Sequence, residues 1–285
     1  MSNERNRPDG VIAAGGILDR IVEAKAIRLK ETKLLHPIDT LLPVVESRAG
    51  GSDNPFVDRI SRKATTNIIA EIKSRSPSKG ILRQDFNPGL IAQGYERAGA
   101  AALSVLTEED FFGGSLAHLR SIRKGDDLPL ARPVRLPLLR KDFIFDEYQI
   151  YETAFAGADA MLLIVAILDD DLLRRLIELA GSVRVEALVE VHTADEMKRA
   201  VDAGASVIGV NNRDLTTFNV DLETSLHLAP MALPETVLVS ESGITSGEDI
   251  RLLKTAGFDA FLIGEHFMRA AVPGDALARL IAESD

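Results

Sequence analysis

Glu71 and Lys73 lie two residues apart at the end of an apolar run in the segment NIIAEIKSRSPSKG, residues 67–80. Residues i and i+2 of a β-strand project from the same face, so this strand would present a carboxylate and an ammonium group together. Such a pair can form an internal salt bridge, or it can bind a charged ligand and exchange protons with it. The segment alone is compatible with both roles.

Polar residues also follow most of the other apolar runs of the chain. They are Ser104 and Thr107, Lys141 and Asp142, Glu190, Asn211 and Arg213, Glu241 and Ser242, and the glycine Gly264. Each has an ordinary explanation, such as a loop residue, a local hydrogen bond or a solvated strand end. Charges that are buried without a partner are costly, however, and one shared pocket accounts for all of these residues at once.

The elements that would position these residues are visible as a repeat. The segments ERAGAAALSVL, AFAGADAMLLIV, VDAGASVIGV and KTAGFDAFLIG each end a helical pattern on Ala-Gly, at Gly99, Gly157, Gly204 and Gly257, before a short apolar run. Glycine suits the left-handed position that ends a helix, and the runs are typical of strands buried on both faces. Four further strands, NIIAEIK, LPLLRKDF, VEALVEV and TVLVSESG, fill the gaps.

Eight strands that alternate with helices predict an α/β fold with an all-parallel sheet. The simplest closed arrangement is a single (β/α)8 TIM barrel, and an open doubly wound sheet is the alternative. No GxGxxG follows the first strand, which argues against a dinucleotide site. In a barrel the carboxyl ends of the strands form one face, where active sites lie. The polar residues above would therefore meet there.

The chain is predicted to form one domain over residues 11–285, preceded by a mobile tail at residues 1–10. Residues 16–66 would form a helical N-terminal extension of the barrel, with an amphipathic helix at 16–35 and shorter helices near 40–48 and 54–63. The irregular segment 125–135 should lie at the N-terminal rim of the barrel, away from chemistry.

Composition excludes several classes of function. A net charge of −10 argues against a nucleic-acid partner, and no apolar stretch is long enough to span a membrane. The chain has no cysteine, which excludes disulfides and thiolate metal sites, and its five histidines form no HxH or HExxH pattern. We therefore expect no metal and no membrane association, and a cytoplasmic location is permitted.

Two glycine turns at the last strand ends predict a phosphate site. Ser242-Gly243 follows the seventh strand, and Gly264 lies at the turn into a short helix that begins near Glu265. Glycine lets backbone N–H groups approach an anion closely, and a helix N-terminus adds a favourable dipole. The alternative is a pair of ordinary glycine turns.

Six motifs resemble, in order and spacing, those of the indole-3-glycerol phosphate synthase family of tryptophan biosynthesis. They are IIAEIKSRSPSKG, PLLRKDFIFDEYQI, ALVEVHTADE, IGVNNRDLTTFNVD, VSESGI and FLIGEHFM, and the resemblance runs from about residue 16 to the C-terminus. It implies a TIM barrel whose helical extension helps to form the binding site. It also implies a phosphorylated small-molecule substrate, no cofactor, and a monomer or weak homo-oligomer.

The resemblance also implies the residue roles. Lys141 would be the general acid for ring closure and Glu190 its acid/base partner, while Lys73 would pair with the substrate carboxylate and assist dehydration. A buried lysine can act as an acid near neutral pH if desolvation or a second cation lowers its pKa, and the pKa of a glutamate among apolar strands can be raised into the range of a useful base. Glu71 and Asn211 would orient these groups and bind the sugar hydroxyls, and Ser76, Glu241 and Ser242 would bind the substrate. Phe143 and Leu163 would form apolar walls, and Gly243, Gly264 and Glu265 would bind phosphate. Arg213 would contact the substrate or hold Glu190.

Two other functions fit a phosphate-binding barrel. One is a related enzyme of the same pathway, similar to phosphoribosylanthranilate isomerase, and the other is a non-catalytic phospho-ligand-binding protein. The E-x-K-x-x-S-P-S motif argues against the first. The joint presence of Lys73, Lys141 and Glu190 argues against the second, because a barrel that has lost catalysis is free to lose any of them.

Overall fold

The computed structural model describes residues 7–48, 55–77, 79–125 and 132–284. Eight parallel strands form a closed barrel, in which each strand pairs with its sequence neighbours and the first pairs with the last. The strands are β1 Asn67–Ile72, β2 Ala102–Leu106, β3 Leu138–Lys141, β4 Ala160–Ile164, β5 Glu186–Val191, β6 Val207–Asn211, β7 Val237–Glu241 and β8 Ala260–Ile263. The predicted TIM barrel is confirmed.

Closure of the barrel excludes the open doubly wound sheet. β1 pairs with β8 in the register Asn67 to Ala260, and with β2 in the register Glu71 to Ser104. All eight pairings are parallel, so every strand ends at the same face of the barrel. The polar strand ends found in the sequence therefore share one rim.

Helices cover the outside of the barrel and alternate with the strands. They are α4 Pro88–Arg97, α5 Leu116–Lys124, α6 Glu147–Ala156, α7 Asp170–Ser182, α8 Ala194–Asp202, α9 Glu223–Leu228, α10 Gly247–Thr255, α11 Glu265–Met268 and α12 Pro273–Ser284. The four repeat glycines all have positive φ, from 82° at Gly204 to 102° at Gly257. This left-handed conformation is what the Ala-Gly repeat predicted, because glycine adopts it without a steric cost.

The N-terminal extension consists of α1 Gly16–Leu35, α2 Leu42–Arg48 and α3 Pro55–Ile60, with a short 3-10 turn at Ile38–Thr40. The predicted helix at 16–35 matches α1, which buries Leu18, Ile21 and Val22 against the barrel. Residues 1–6 of the predicted mobile tail lie outside the described residues. Within its last four residues, Arg7 pairs with Asp19, and the Asp169 N–H donates to the Gly10 carbonyl.

The irregular segment before β3 is described only at its two ends, because residues 126–131 lie outside the described part of the chain. Gly125 ends α5 in a left-handed conformation, and the Val134 N–H donates to the Ile122 carbonyl. Since the segment joins the end of a helix to the start of β3, its described ends lie at the rim opposite the polar strand ends.

Candidate active site

A cavity of about 710 Å³ opens at the carboxyl ends of the strands. It brings together almost every residue that the sequence predicted for the site. The predicted residues that line it are Glu71, Lys73, Ser76, Lys141, Phe143, Glu190, Asn211, Arg213, Glu241, Ser242, Gly243, Gly264 and Glu265. They come from loops and strands that span most of the chain, and only the closed barrel makes them neighbours.

Leu163 is the exception, and its predicted role as an apolar wall is wrong. Its two neighbours on β4, Leu162 and Ile164, line the cavity instead. Because alternate residues of a strand face opposite sides, Leu163 faces the surrounding helices, where it is fully buried. Every residue of the run MLLIV is apolar, so the sequence could not show which of them face the cavity and which face the helices.

Lys141 is the centre of the polar end. Its Nζ lies 2.8 Å from Oε2 of Glu190 and 2.5 Å from Oε2 of Glu241. Burial lowers the pKa of Lys141, but the two carboxylates outweigh burial and raise it. The expected lowering is therefore wrong for the free protein, because the sequence could not show that two anions contact this lysine. Lys141 is held as an ammonium group, the form that a general acid requires.

Glu190 is held in its ionised form. Burial raises its pKa, but Lys141, the nearby His192 and a hydrogen bond from Asn211 have the larger, opposite effect and lower it to about 2. The expected rise for this residue is also wrong, since these three partners outweigh desolvation. Sequence reasoning missed His192 as a neighbour of Glu190, although the motif VEVH places the two residues on one face of β5.

Glu241 has the raised pKa that was expected for Glu190. Burial is the main cause, and the repulsion of Glu190 adds to it, so the pKa rises to about 7 despite the contact with Lys141. Its second oxygen, Oε1, is buried and has no hydrogen-bond partner among the described residues. Gly209 on β6 makes room for this oxygen, because a side chain there would overlap it. Glu241 can therefore hold and release a proton near neutral pH.

Glu71 and Lys73 form the ion pair that their spacing allowed, and both line the cavity. Gly264 lies against the Glu71 carboxylate so closely that any side chain at this position would displace it. The pair is thus an internal salt bridge that also opens onto the cavity. Its ammonium group is available to an anionic ligand.

The glycine turns form the other end of the cavity. Ser242 and Gly243 have φ values of 65° and 85°, which turn their backbone sharply after β7. Gly264 caps the short helix α11. Three cationic or titratable side chains that the sequence analysis did not assign, Lys79, His266 and Arg269, also line the cavity. The cationic side chains of Lys79 and Arg269 would favour an anion in the cavity.

Arg213 belongs to the glycine end, and its contacts exclude one of the two roles that were left open for it, while contact with the substrate stays a prediction. Its Nη2 lies 3.5 Å from Oε2 of Glu265, and its Nη1 donates to the Phe218 carbonyl. Arg269 also pairs with Glu265, at 3.1 Å. Arg213 therefore anchors Glu265 and does not hold Glu190. The Glu265 carboxylate is engaged by two arginines, so this residue could bind phosphate only through its backbone N–H.

An apolar wall faces the ion pairs. Helix α1 contributes Ile17, Leu18 and Ile21, and Phe112 and Phe143 pack with ring centroids 6.2 Å apart. The N-terminal extension was expected to supply apolar surface, but the sequence did not identify these three residues. A flat apolar surface next to two lysines suits an aromatic acid, whose ring and carboxylate need different surroundings.

A buried ion pair fixes α1 over this cavity. The Lys25 Nζ lies 2.7 Å from Oδ1 of Asp142, directly after Lys141 on β3. Asp142 also accepts hydrogen bonds from Arg140 and from the Thr107 hydroxyl, at 3.0 Å and 2.6 Å. Burial raises the pKa of Asp142, but Lys25 and Arg140 lower it to about 2, so it stays ionised. The polar residues Asp142 and Thr107 noted in the sequence are therefore anchors for α1.

The described residues contain neither a metal-binding cluster nor a membrane-spanning helix. No group of three or more His, Asp or Glu side chains is arranged to hold a metal ion in the described parts of the chain. Within the same residues, no helix is both long enough and apolar enough to cross a bilayer.

Comparison with solved structures finds barrels of the same fold. The 3-hexulose-6-phosphate synthase from Salmonella typhimurium aligns with a TM-score of 0.60 at 12% identity, over 77% of this chain and 100% of that one. KGPDC from Streptococcus mutans in complex with D-R5P aligns with a TM-score of 0.58 at 14% identity, over 77% and 97%. At this identity the similarity concerns the fold alone.

Sequence comparison is more specific. The family model for indole-3-glycerol phosphate synthase matches residues 18–280. The indole-3-glycerol phosphate synthase of Carboxydothermus hydrogenoformans is 44% identical over 271 residues, covering 93% of this chain and 99% of the relative. That of Polaromonas naphthalenivorans is 44% identical over 270 residues, covering 94% and 99%. These matches confirm the resemblance seen in the motifs, and the chain belongs to the indole-3-glycerol phosphate synthase family.

Proposed function

We propose that the protein converts 1-(o-carboxyphenylamino)-1-deoxyribulose 5-phosphate into indole-3-glycerol phosphate in tryptophan biosynthesis. The overall reaction, a decarboxylating carbon–carbon lyase step, is the activity named for the relatives of this chain. The observation that supports it best is the position of the Lys141 ammonium group, which lies between two buried carboxylates in the cavity that also holds the Glu71–Lys73 pair.

The substrate carries an anion at each end and a ring between them, and the cavity offers matching surfaces. Phosphate would bind at the backbone of Gly243 and Gly264, where the turns expose N–H groups. The aromatic ring would pack against the apolar wall, beside Phe143 and Ile21. The ring carboxylate would pair with Lys73, which then shares its charge between the substrate and Glu71.

Ring closure needs a proton donor. The ring carbon that bears the carboxylate attacks the ketose carbonyl carbon, and the carbonyl oxygen takes a proton as the new carbon–carbon bond forms. Lys141 supplies this proton, because its two anionic partners keep it charged and fix the direction of its Nζ. The carbon–carboxylate bond then breaks, carbon dioxide leaves, and the electron pair restores the aromatic ring.

Dehydration needs an acid and a base on the same intermediate. Once carbon dioxide has left, Lys73 has lost its partner on the substrate, and its ammonium group can protonate the departing hydroxyl. Glu190, which is ionised and adjoins Lys141, accepts the proton that leaves the intermediate. The cycle closes when Glu190 passes this proton to Lys141, which it contacts, and Lys73 takes up from solvent the one net proton that decarboxylation consumes. Glu241, with a pKa of about 7 and in contact with Lys141, can relay protons to it.

The test is to mix the purified protein with the carboxyphenylamino-deoxyribulose phosphate and to follow indole fluorescence and carbon dioxide release. We expect one carbon dioxide per indole formed. Lys141→Met should keep the circular dichroism spectrum and lower kcat by about 10²–10⁴-fold, the usual contribution of general acid–base catalysis. The exposed Lys124→Met is the matched control and should behave as wild type. Near-normal turnover by Lys141→Met would overturn the assignment.

We also propose that the protein works in the cytosol, as a monomer or a weak homo-oligomer, and without a nucleic-acid partner. A phosphorylated biosynthetic intermediate is an intracellular metabolite, which supports the location. The residues proposed for catalysis, Lys73, Lys141 and Glu190, line one cavity of a single chain, which is compatible with a monomer. Sedimentation velocity that shows a tight oligomer at every protein concentration would contradict the proposed state.

A further inference from the structure

His192 lies one residue past the end of β5 and two residues after Glu190, on the same face. Its Nε2 lies 3.4 Å from Oε1 of Glu190, whereas the other oxygen of Glu190 binds Lys141. His192 does not line the cavity, and its side chain is only 12% exposed. It therefore contacts Glu190 from the side away from the substrate.

The first turn of α8 fixes the direction of the imidazole ring. The His192 backbone N–H donates to Oε2 of Glu196 at 2.7 Å, and the ring Nδ1 lies 3.2 Å from the same oxygen. Thr193, the N-cap of α8, accepts from the Glu196 N–H and so holds that residue in place. With Nδ1 occupied by Glu196, the opposite ring nitrogen can only face Glu190.

The ring nitrogen that faces Glu190 has no other partner. His192 Nε2 is buried and makes no hydrogen bond that satisfies normal geometry among the described residues. A buried N–H group without a hydrogen bond is costly, so its attraction to a charged neighbour must compensate. The nearest such neighbour is the Glu190 carboxylate.

The charges around His192 favour the imidazolium form. Four carboxylates interact electrostatically with the ring, and they are Glu190 on β5, Glu196 on α8, Glu241 on β7 and Asp214 after β6. Burial lowers the pKa of His192, but the carboxylates outweigh burial and raise it above its ordinary value of 6.5. The cation Lys141 contacts the other oxygen of Glu190.

We propose that His192 is a positioning residue for Glu190. Its imidazolium holds Oε1, so that Oε2 faces Lys141 and the carboxylate stays ionised until it accepts its proton. The inference rests on the proposed role of Glu190 as the base in dehydration. Its alternative is that His192 only joins β5 to α8 through Glu196.

Two substitutions separate these roles, because each places an amide nitrogen at the position of one of the two ring nitrogens. Asn at position 192 places an amide nitrogen near Nδ1 and keeps the contact with Glu196, and Gln places one near Nε2 and keeps the contact with Glu190. We expect His192→Asn to lower kcat about tenfold, a fraction of a general acid–base effect, with KM within about twofold of wild type. His192→Gln should retain most of the wild-type kcat below neutral pH.

The pH profile gives a second readout. The raised pKa means that the positive charge is complete at acidic pH and is lost as the pH rises through the folded-state value. Wild-type kcat should therefore fall on the alkaline side, because the neutral ring keeps its remaining proton on Nδ1, against Glu196, and Nε2 no longer donates to Glu190. The His192→Gln profile should lack this alkaline limb, because an amide does not titrate. The exposed His227→Gln, which also replaces a histidine whose Nδ1 lies 4.0 Å from a glutamate four residues away, is the matched control and should keep the wild-type profile.

Three outcomes would overturn the inference: wild-type kcat in His192→Asn, an equal loss in both variants, or a larger loss in His192→Gln than in His192→Asn. Each would show that the contact with Glu190 is dispensable. Failure of the proposed function would look different, since wild-type protein would then form no indole at any pH.

Discussion

Three carboxylates and two ammonium groups share the polar end of the cavity. Glu71, Glu190 and Glu241 face Lys73 and Lys141, so full ionisation would leave one negative charge in excess. The raised pKa of Glu241 reduces this negative charge near neutral pH, because its carboxyl is then partly protonated. A cavity end with little net negative charge repels less a substrate that is anionic at both ends.

The pKa of Glu241 predicts a pH-dependent effect on stability. A pKa raised from 4.5 to about 7 means that the folded protein holds a proton that the unfolded chain has lost. The stability contribution is complete below pH 4.5 and is lost as the pH rises through about 7. Glu241→Gln resembles the protonated form, so it should raise the free energy of unfolding by about 2–3 kcal/mol at pH 8 and by little at pH 5.

Urea denaturation at the two pH values measures this difference. Glu235→Gln changes an exposed glutamate before β7 and is the matched control, for which we expect no pH-dependent gain. An equal effect of Glu241→Gln at pH 5 and pH 8 would show that Glu241 does not retain its proton on folding.

At the residue scale, strand alternation predicted the position of nearly every charged residue in the site. It failed for Leu163, because an apolar run does not reveal which of its faces is turned inward. The pKa directions for Lys141 and Glu190 could not be predicted either. They depend on which charges meet in space, and Glu241 lies a hundred residues from Lys141 along the chain.

At the scale of elements, the main question is what holds α1 over the cavity. The Lys25–Asp142 pair is almost completely buried, with side-chain exposures of 8% and 0%. Two peripheral contacts, Arg28 with Asp110 and Lys33 with Asp146, lie at the exposed side of the same helix. Exposed pairs of this kind contribute little to stability, so Lys25 should be the main anchor.

Lys25→Met should therefore loosen α1 from the barrel. Removal of one partner from a buried ion pair typically costs about 3–5 kcal/mol, and Arg140 and Thr107 still serve Asp142, so we expect the lower end of this range. Hydrogen exchange should become faster in α1 and stay unchanged in the strands. KM should rise, because α1 supplies part of the apolar wall.

Lys30→Met is the control on the same helix, since Lys30 is exposed. It should change neither exchange nor KM. Unchanged exchange in Lys25→Met would show that α1 is held by its apolar face alone, through residues such as Leu18 and Val22.

The elements themselves were predictable, because the Ala-Gly repeat and the apolar runs are local signals. The anchoring of α1 was not. Lys25 lies in a helix with many charged residues, and its sequence position gives no sign that its ammonium group is buried against β3. The positions of the charged residues follow from the strand ends, whereas the position of the apolar wall depends on how the separate helix α1 packs on the barrel.

At the scale of the whole molecule, the closed barrel brings residues that are far apart in the sequence close together in space. Solved barrels at 12% and 14% identity share the architecture with this chain, so the fold by itself does not specify the reaction. The reaction follows from which side chains stand at the eight strand ends. The central claim is that the residues from β1, β3, β5 and β7 act on one ligand.

A crystal structure with a substrate analogue tests this claim most directly. The analogue would carry an alcohol in place of the ketose carbonyl, so that it binds but cannot cyclise. We predict phosphate at the backbone of Gly243 and Gly264, the alcohol oxygen within hydrogen-bond distance of Lys141 Nζ, and the ring carboxylate at Lys73. An analogue bound in the reverse direction, or one that leaves Lys141 and Lys73 without contact, would contradict the account.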